Sequence, residues 1–172
     1  YVGEDACHGL IKLYGRYSSG NRQDVSVSLF KWTGIDRDYS VHSKCKMYFS
    51  ASDNELPYTN FEGQRRYNVS LGQQVKVELT WENNGETPKT PYVGWYISTD
   101  STINTSDTLF ATTLLPTLWL GHADTLLTTI TIPTNLTSGT TYYLGAIIDY
   151  NRQLTEMDEN NNAAYHIIRV NY

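Results

Sequence analysis

"QVKVELTW", residues 74–81, decides how this chain is read. Val75, Val77, Leu79 and Trp81 alternate with Lys76, Glu78 and Thr80, and an extended strand presents that period of two as one apolar and one polar face. The expectation is a half-buried strand with Lys76, Glu78 and Thr80 turned to water. "RRYNVS" precedes it, while "PYVGWYIS", "DTLFATTLL", "DTLLTTITI", "TTYYLGAIID" and "AAYHIIRV" follow, each bounded by Pro, Gly, Asn or Ser. The turn "ENNGETPK" contains Asn84-Gly85, a pair that takes positive φ at low cost. Seven short strands within residues 64–172 are spaced as in a two-sheet sandwich with Ig-like connections, so the chain is expected to be all-β.

Upstream, residues 1–63 are less regular. "GLIKLYGRY", "DVSVSLFKW" and "VHSKCKMYF" are strand candidates, and "SASDNELPYTNFEG" reads as a loop into the sandwich. Three strands make a poor core alone, so this extension is expected to pack on the 64–172 sandwich or to be swapped between sandwiches. Cys7 and Cys45 are the two cysteines, and a Thr/Asn/Tyr-rich chain suits a secreted protein, where a Cys7–Cys45 disulfide persists. That bridge closes a loop of nearly forty residues and stabilises by about 3–4 kcal/mol on the loop-entropy account.

Charge excludes some partners. Residues 1–63 carry seven basic and eight acidic side chains and 64–172 carry six and ten, so neither part offers the basic face that a nucleic acid needs. No apolar run is long enough to span a bilayer. The chain opens at Tyr1 without methionine, which suggests excision from a precursor whose signal peptide has gone, and hence an extracellular or cell-surface location. Asn68, Asn104 and Asn135 each begin an N-glycosylation triplet.

Taken in order, "VSLGQQVKVELTWENNGET", "VGWYISTDSTINTSDTLF", "LWLGHADTLLTTITIP" and "GTTYYLGAIIDYNRQLTEMDENNNA" resemble the CARDB family, the cell-adhesion-related domain of bacterial and archaeal surface proteins. The resemblance covers residues 65–171 and ends in an E-x-D-E-x-N-N block from Glu156 to Asn162; the first 63 residues depart from it. It implies an Ig-like or fibronectin-III-like β-sandwich, often an accessory module of large extracellular proteins.

The block "DYNRQLTEMDENNNAAYHI", residues 149–167, is dense in oxygen ligands. Calcium takes six to eight oxygens, and Asp149, Asn151, Glu156, Asp158, Glu159, Asn161 and Asn162 could supply several, although the EF-hand glycine and twelfth-place glutamate are missing. Asp100 and Asp107 flank a second candidate loop, "STDSTINTSD". Against calcium stands a plain structural role, with Asn161 and Asn162 capping backbone where the last strand begins and Glu156 and Glu159 facing water. No cofactor is required, and bound calcium would act as a structural stabiliser.

Catalysis finds no motif. His8, His42, His122 and His166 are scattered, and His166 lies in an alternating strand where a satisfied histidine is expected. Trp81 and Trp95 read as core, whereas Trp32 and Trp119 are the candidate aromatics for a partner or glycan, with burial under the N-terminal strands the favoured alternative for Trp32. Two functions therefore compete. One is a non-catalytic structural or adhesive module, a surface-filament subunit using strand addition; the other is a carbohydrate-binding accessory domain of a secreted hydrolase. The partners are accordingly further copies, a cell-surface protein or a glycan.

Overall fold

The computed structural model describes residues 23–32 and 42–171, with the side chains of Trp32 and His42 outside that description. Among the described residues there are strands and no helix: β1 (Val25–Ser28), β2 (Phe30–Trp32), β3 (His42–Lys44), β4 (Met47–Phe49), β5 (Tyr58–Phe61), β6 (Gln64–Ser70), β7 (Gln74–Asn83), β8 (Tyr92–Ser98), β9 (Thr108–Leu114), β10 (His122–Thr131), β11 (Thr141–Ile148) and β12 (Ala163–Asn171). The seven strands read from the sequence are β6 to β12.

Two sheets face each other as a sandwich. In the first, β7 pairs antiparallel with β10 from Asn83 opposite His122 to Gln74 opposite Thr131. Its other edge is shared end to end by β1, opposite Thr80–Asn83, and β4, opposite Val75–Val77. The second sheet runs β5-β6-β12-β11-β8-β9, and only its β6–β12 pair is parallel. β2 and β3 pair as a separate two-stranded sheet.

The alternation of 74–81 positions the core. Val75, Val77, Leu79 and Trp81 are fully buried and meet Tyr67, Trp95, Leu144 and Ile168 from the facing sheet. Each such aliphatic side chain contributes about 1.5–3 kcal/mol through removal from water. Val25, Val27 and Met47 belong to the same cluster, so β1 and β4 pack into the core that the later strands build.

Four expectations change. Glu78 and Thr80, placed in water by the alternation, are 8% and 1% exposed. The reason is local: Glu78 lies where neither β1 nor β4 covers β7, and the chain around Lys31 and Lys46 closes over it. Next, "YTNF" within the supposed loop is β5, which forms a hairpin with β6 through Glu62 (φ 52°) and Gly63 (φ 78°). Two successive left-handed residues match the right-handed strand twist, which is why so short a loop closes. Thirdly, the positive-φ glycines among the described residues are Gly63, Gly72, Gly121 and Gly139, not Gly85; Asn83 holds that turn by accepting from Gly85 N. Lastly, "DVSVSLFKW" and "VHSKCKMYF" each break into two strands, at Leu29 and at Cys45-Lys46, where Cys45 N donates to Leu29 O at 2.7 Å. The "GLIKLYGRY" strand, Cys7 and His8 lie outside the described residues.

Candidate functional site

The oxygen-rich block closes over β1. Glu156 Oε1 accepts from Val25 N at 2.6 Å, and its Oε2 accepts from Asn162 Nδ2 at 2.5 Å. On the same seam Met157 N donates to Gln23 O, Val27 N donates to Asn161 O, and Asn161 Nδ2 donates to Asp24 Oδ1. The block therefore clasps the first described strand to the start of β12. Strands need their edge groups satisfied, and here a loop supplies acceptors where no ladder continues.

Burial sets the electrostatics of this clasp. It pushes the Glu156 carboxyl up to about 7 against the two hydrogen bonds that favour its anion, with Asp149 and Glu159 adding repulsion. Asp24 is likewise raised by burial, partly offset by Asn161, and Asp149 by burial against two backbone donors. Those donors are Gln153 N and Leu154 N, at 3.1 and 2.9 Å from the Asp149 oxygens. They wrap the turn around a carboxylate whose own backbone is left-handed (φ 50°).

Several of the calcium candidates cap backbone within their own loops. Asp158 caps Asn160, Glu159 accepts from Glu156 N, and Asn151 is exposed. Asp100 accepts from Thr102 N and Asp107 from Asn104 N, each at 2.8 Å, so that loop too is made of side chains capping backbone. Among the described residues no three acidic, histidine or cysteine side chains converge as a cation site. The Asn161 and Asn162 Oδ1 atoms are buried without a partner. Glu156 does not face water, contrary to the plain structural reading; it is the centre of the clasp.

A second polar cluster escaped the sequence reading. Glu78 pairs with Lys31 Nζ and accepts from Lys46 N at 2.9 Å. His166 Nε2–H donates to the Glu78 carbonyl at 3.1 Å, bridging the two sheets. Burial lowers its pKa to about 4, so the ring is neutral and satisfied, as expected of a strand histidine. Cys45 has a free thiol, buried, 3.8 Å from Thr80 Oγ1 and pushed up to about 11 by burial; Cys7, its expected partner, lies outside the described residues. Cys45 and His166 sit at a cavity of about 610 Å³, whose walls include Val27, Phe30, Tyr67 and Ile167. Both groups line that cavity, the thiol protonated and the imidazole neutral with its Nε2–H bonded to a carbonyl. The signal that could have found this cluster is Glu78 itself, a carboxylate in the middle of a strand whose other face is wholly apolar.

The remaining candidates sit as follows. Trp81 and Trp95 are core, and Trp95 Nε1 donates to Thr113 Oγ1. Trp119 is 63% exposed, and the Trp32 side chain is not described. Asn104 and Asn135 are exposed on loops, whereas Asn68 is half-buried within β6, opposite Arg169 of β12.

Among solved structures, the chain is similar to the solution structure of a CARDB domain from Pyrococcus furiosus, at 18% identity and a TM-score of 0.49, covering 88% of this chain and 98% of that one. It is similar to the crystal structure of that domain in complex with di-metal ions, at 17% identity and a TM-score of 0.49, covering 89% and 97%. It also matches part of a β-glucosidase from Listeria innocua, at 14% identity and a TM-score of 0.41, covering 78% of this chain and 17% of that one. No family model matches, and no curated protein matches. Likeness at these identities concerns fold and nothing finer.

Proposed function

We propose that this chain is a non-catalytic, extracellular structural module that assembles with further copies of itself through its sheet edges. The observation that carries the reading is the edge of β7, where β1 and β4, from the segment preceding the sandwich, are added as two short strands. Strand addition satisfies a row of backbone donors and acceptors at once, and the same two strands contributed by a neighbouring copy would link subunits head to tail. Such a contact propagates without closing, as a surface filament requires. Two of the titratable side chains with the largest shifts serve the fold: Glu156 holds a strand, and His166 holds a carbonyl.

Size measurement and negative-stain imaging of the full chain, with calcium and with a chelator, test this. Oligomers or filaments are expected, and a structural calcium would show as assembly or melting that responds to the chelator. A single monomeric species under both conditions would overturn the reading. One observation favours the carbohydrate-binding alternative, the exposure of Trp119. Glycan binding lost in Trp119→Ala, from a chain that does not assemble, would establish it instead.

A further inference from the structure

We infer that the outer edge of β10 is a homotypic interface, in which two copies pair their β10 strands antiparallel about a dyad at Leu127. The inference rests on the reading that the chain acts through its sheet edges, and it names the edge and the register.

Natural sheets blunt exposed edges with short strands, bulges, lysine or proline, because a long flat edge recruits another strand. Three edges of this sandwich carry such a device. β1 and β4 are four and three residues long, and β5 is four. β9 carries a register shift opposite Trp95 and Tyr96, which kinks its edge. β10 differs: its ten residues run in unbroken register with β7, and "HADTLLTTIT" contains no lysine, arginine or proline, its one carboxylate, Asp124, lying toward one end. Among the described residues β7 is its only strand partner. Thr125, Leu127, Thr129 and Thr131 are exposed, Leu127 by 47%.

The occupant follows from the self-complementarity of Ala123–Thr131. Pairing that run with itself about its middle residue sets Thr125 opposite Thr129 twice and Leu127 opposite its mate on the outward face. On the core-facing side Leu126 meets Thr128. Cross-strand Thr–Thr and apolar pairs each contribute about 0.2–1 kcal/mol. The two Asp124 carboxylates end up near opposite ends of the ribbon, about 20 Å apart at roughly 3.3 Å per residue over six residues, so no like charges face each other. A dyad at Leu126 keeps a run of equal length but sets Leu127 against Thr125, and one at Thr128 shortens the run and sets Leu127 against Thr129. The pairing merges the two copies' first sheets into one continuous sheet.

Light scattering and sedimentation of the full chain over a concentration series test the interface. The wild type should dimerise or assemble further. Leu127→Lys sets like charges directly opposite at the dyad, and because Leu127 is half-exposed it should leave the melting temperature unchanged while weakening self-association on the order of tenfold or more. Thr125→Cys and Thr129→Cys chains, mixed and oxidised, should cross-link residue 125 of one copy to 129 of the other, mapped by mass spectrometry. Assembly unaffected by Leu127→Lys, or cross-links joining 125 to 125, would overturn the inference and leave the structural-module reading standing. A monomer at every concentration would overturn both.

Discussion

Half-buried Glu156 and buried His166 are two side chains whose protonation separates the folded from the unfolded chain. Glu156 titrates at about 7 when folded against an ordinary 4.5, so its contribution is fully present below 4.5 and is lost as pH rises through 7. His166 has the opposite sign. It titrates at about 4 when folded against 6.5, so its contribution is present above 6.5 and is lost as pH falls through 4. Asp24 and Asp149, also raised, share the sign of Glu156. Glu156→Gln should therefore lose stability more steeply than the wild type on acidification from 6.5 to 4, because one opposing slope has gone. The amide costs little, since Asn162 can turn its unbonded Oδ1 to the new donor. His166→Ala should cost about 2–3 kcal/mol, as a cavity plus an orphaned Glu78 carbonyl, and its melting temperature should fall less than the wild type's below pH 6.5. Melting temperatures across pH check both variants. Cys45, buried and held protonated, should react with an aromatic disulfide reagent only at the rate of global unfolding, and a fast reaction in the native state would show that the thiol is reached from the cavity.

At the scale of an element, the loop between β8 and β9 is anchored by what β11 lacks. A Cβ on Gly145 would lie 2.4 Å from Ile103 Cγ2, so the glycine is the seat into which Ile103 packs on the outer face of the second sheet. Gly145→Ala should therefore destabilise by about 1–3 kcal/mol through overpacking, and adding Ile103→Ala should recover part of that loss. Additive losses in denaturant titration would show that the loop is not held there. β5 teaches a related lesson. Its "YTNF" is too polar for an apolar-pattern reading, and only the Glu62-Gly63 turn marks it, because Glu is a rare choice at positive φ. The glycine that did stand out, Gly85, lies in a connection between the two sheets, where Asn83 replaces hairpin geometry.

At the scale of the whole molecule, the extension and the sandwich share one core. Val25, Val27 and Met47 are buried among residues of β7 and the facing sheet, and Leu56 joins them. Deleting residues 1–63 should therefore unfold or aggregate the remainder, since it strips β7 of its edge and opens cavities that cost about 2–5 kcal/mol for a single Leu or Met. A fragment 64–172 with a cooperative melting transition near that of the full chain would show that the sandwich stands alone.

The sequence alone determined the strands from 64 onward, the inward set of 74–81, the core places of Trp81 and Trp95, and the outward place of Trp119. Alternation along one strand and turn residues between strands are local properties, so local chemistry reveals them. Only the tertiary structure decided that Glu78 and Thr80 are buried, that Glu156 grips β1 across 131 positions of chain, and that ten-residue β10 has β7 as its one strand partner among the described residues. Each of these depends on what lies beside a strand rather than along it. Burial and pairing are set by neighbours distant in sequence, which an alternating pattern does not encode.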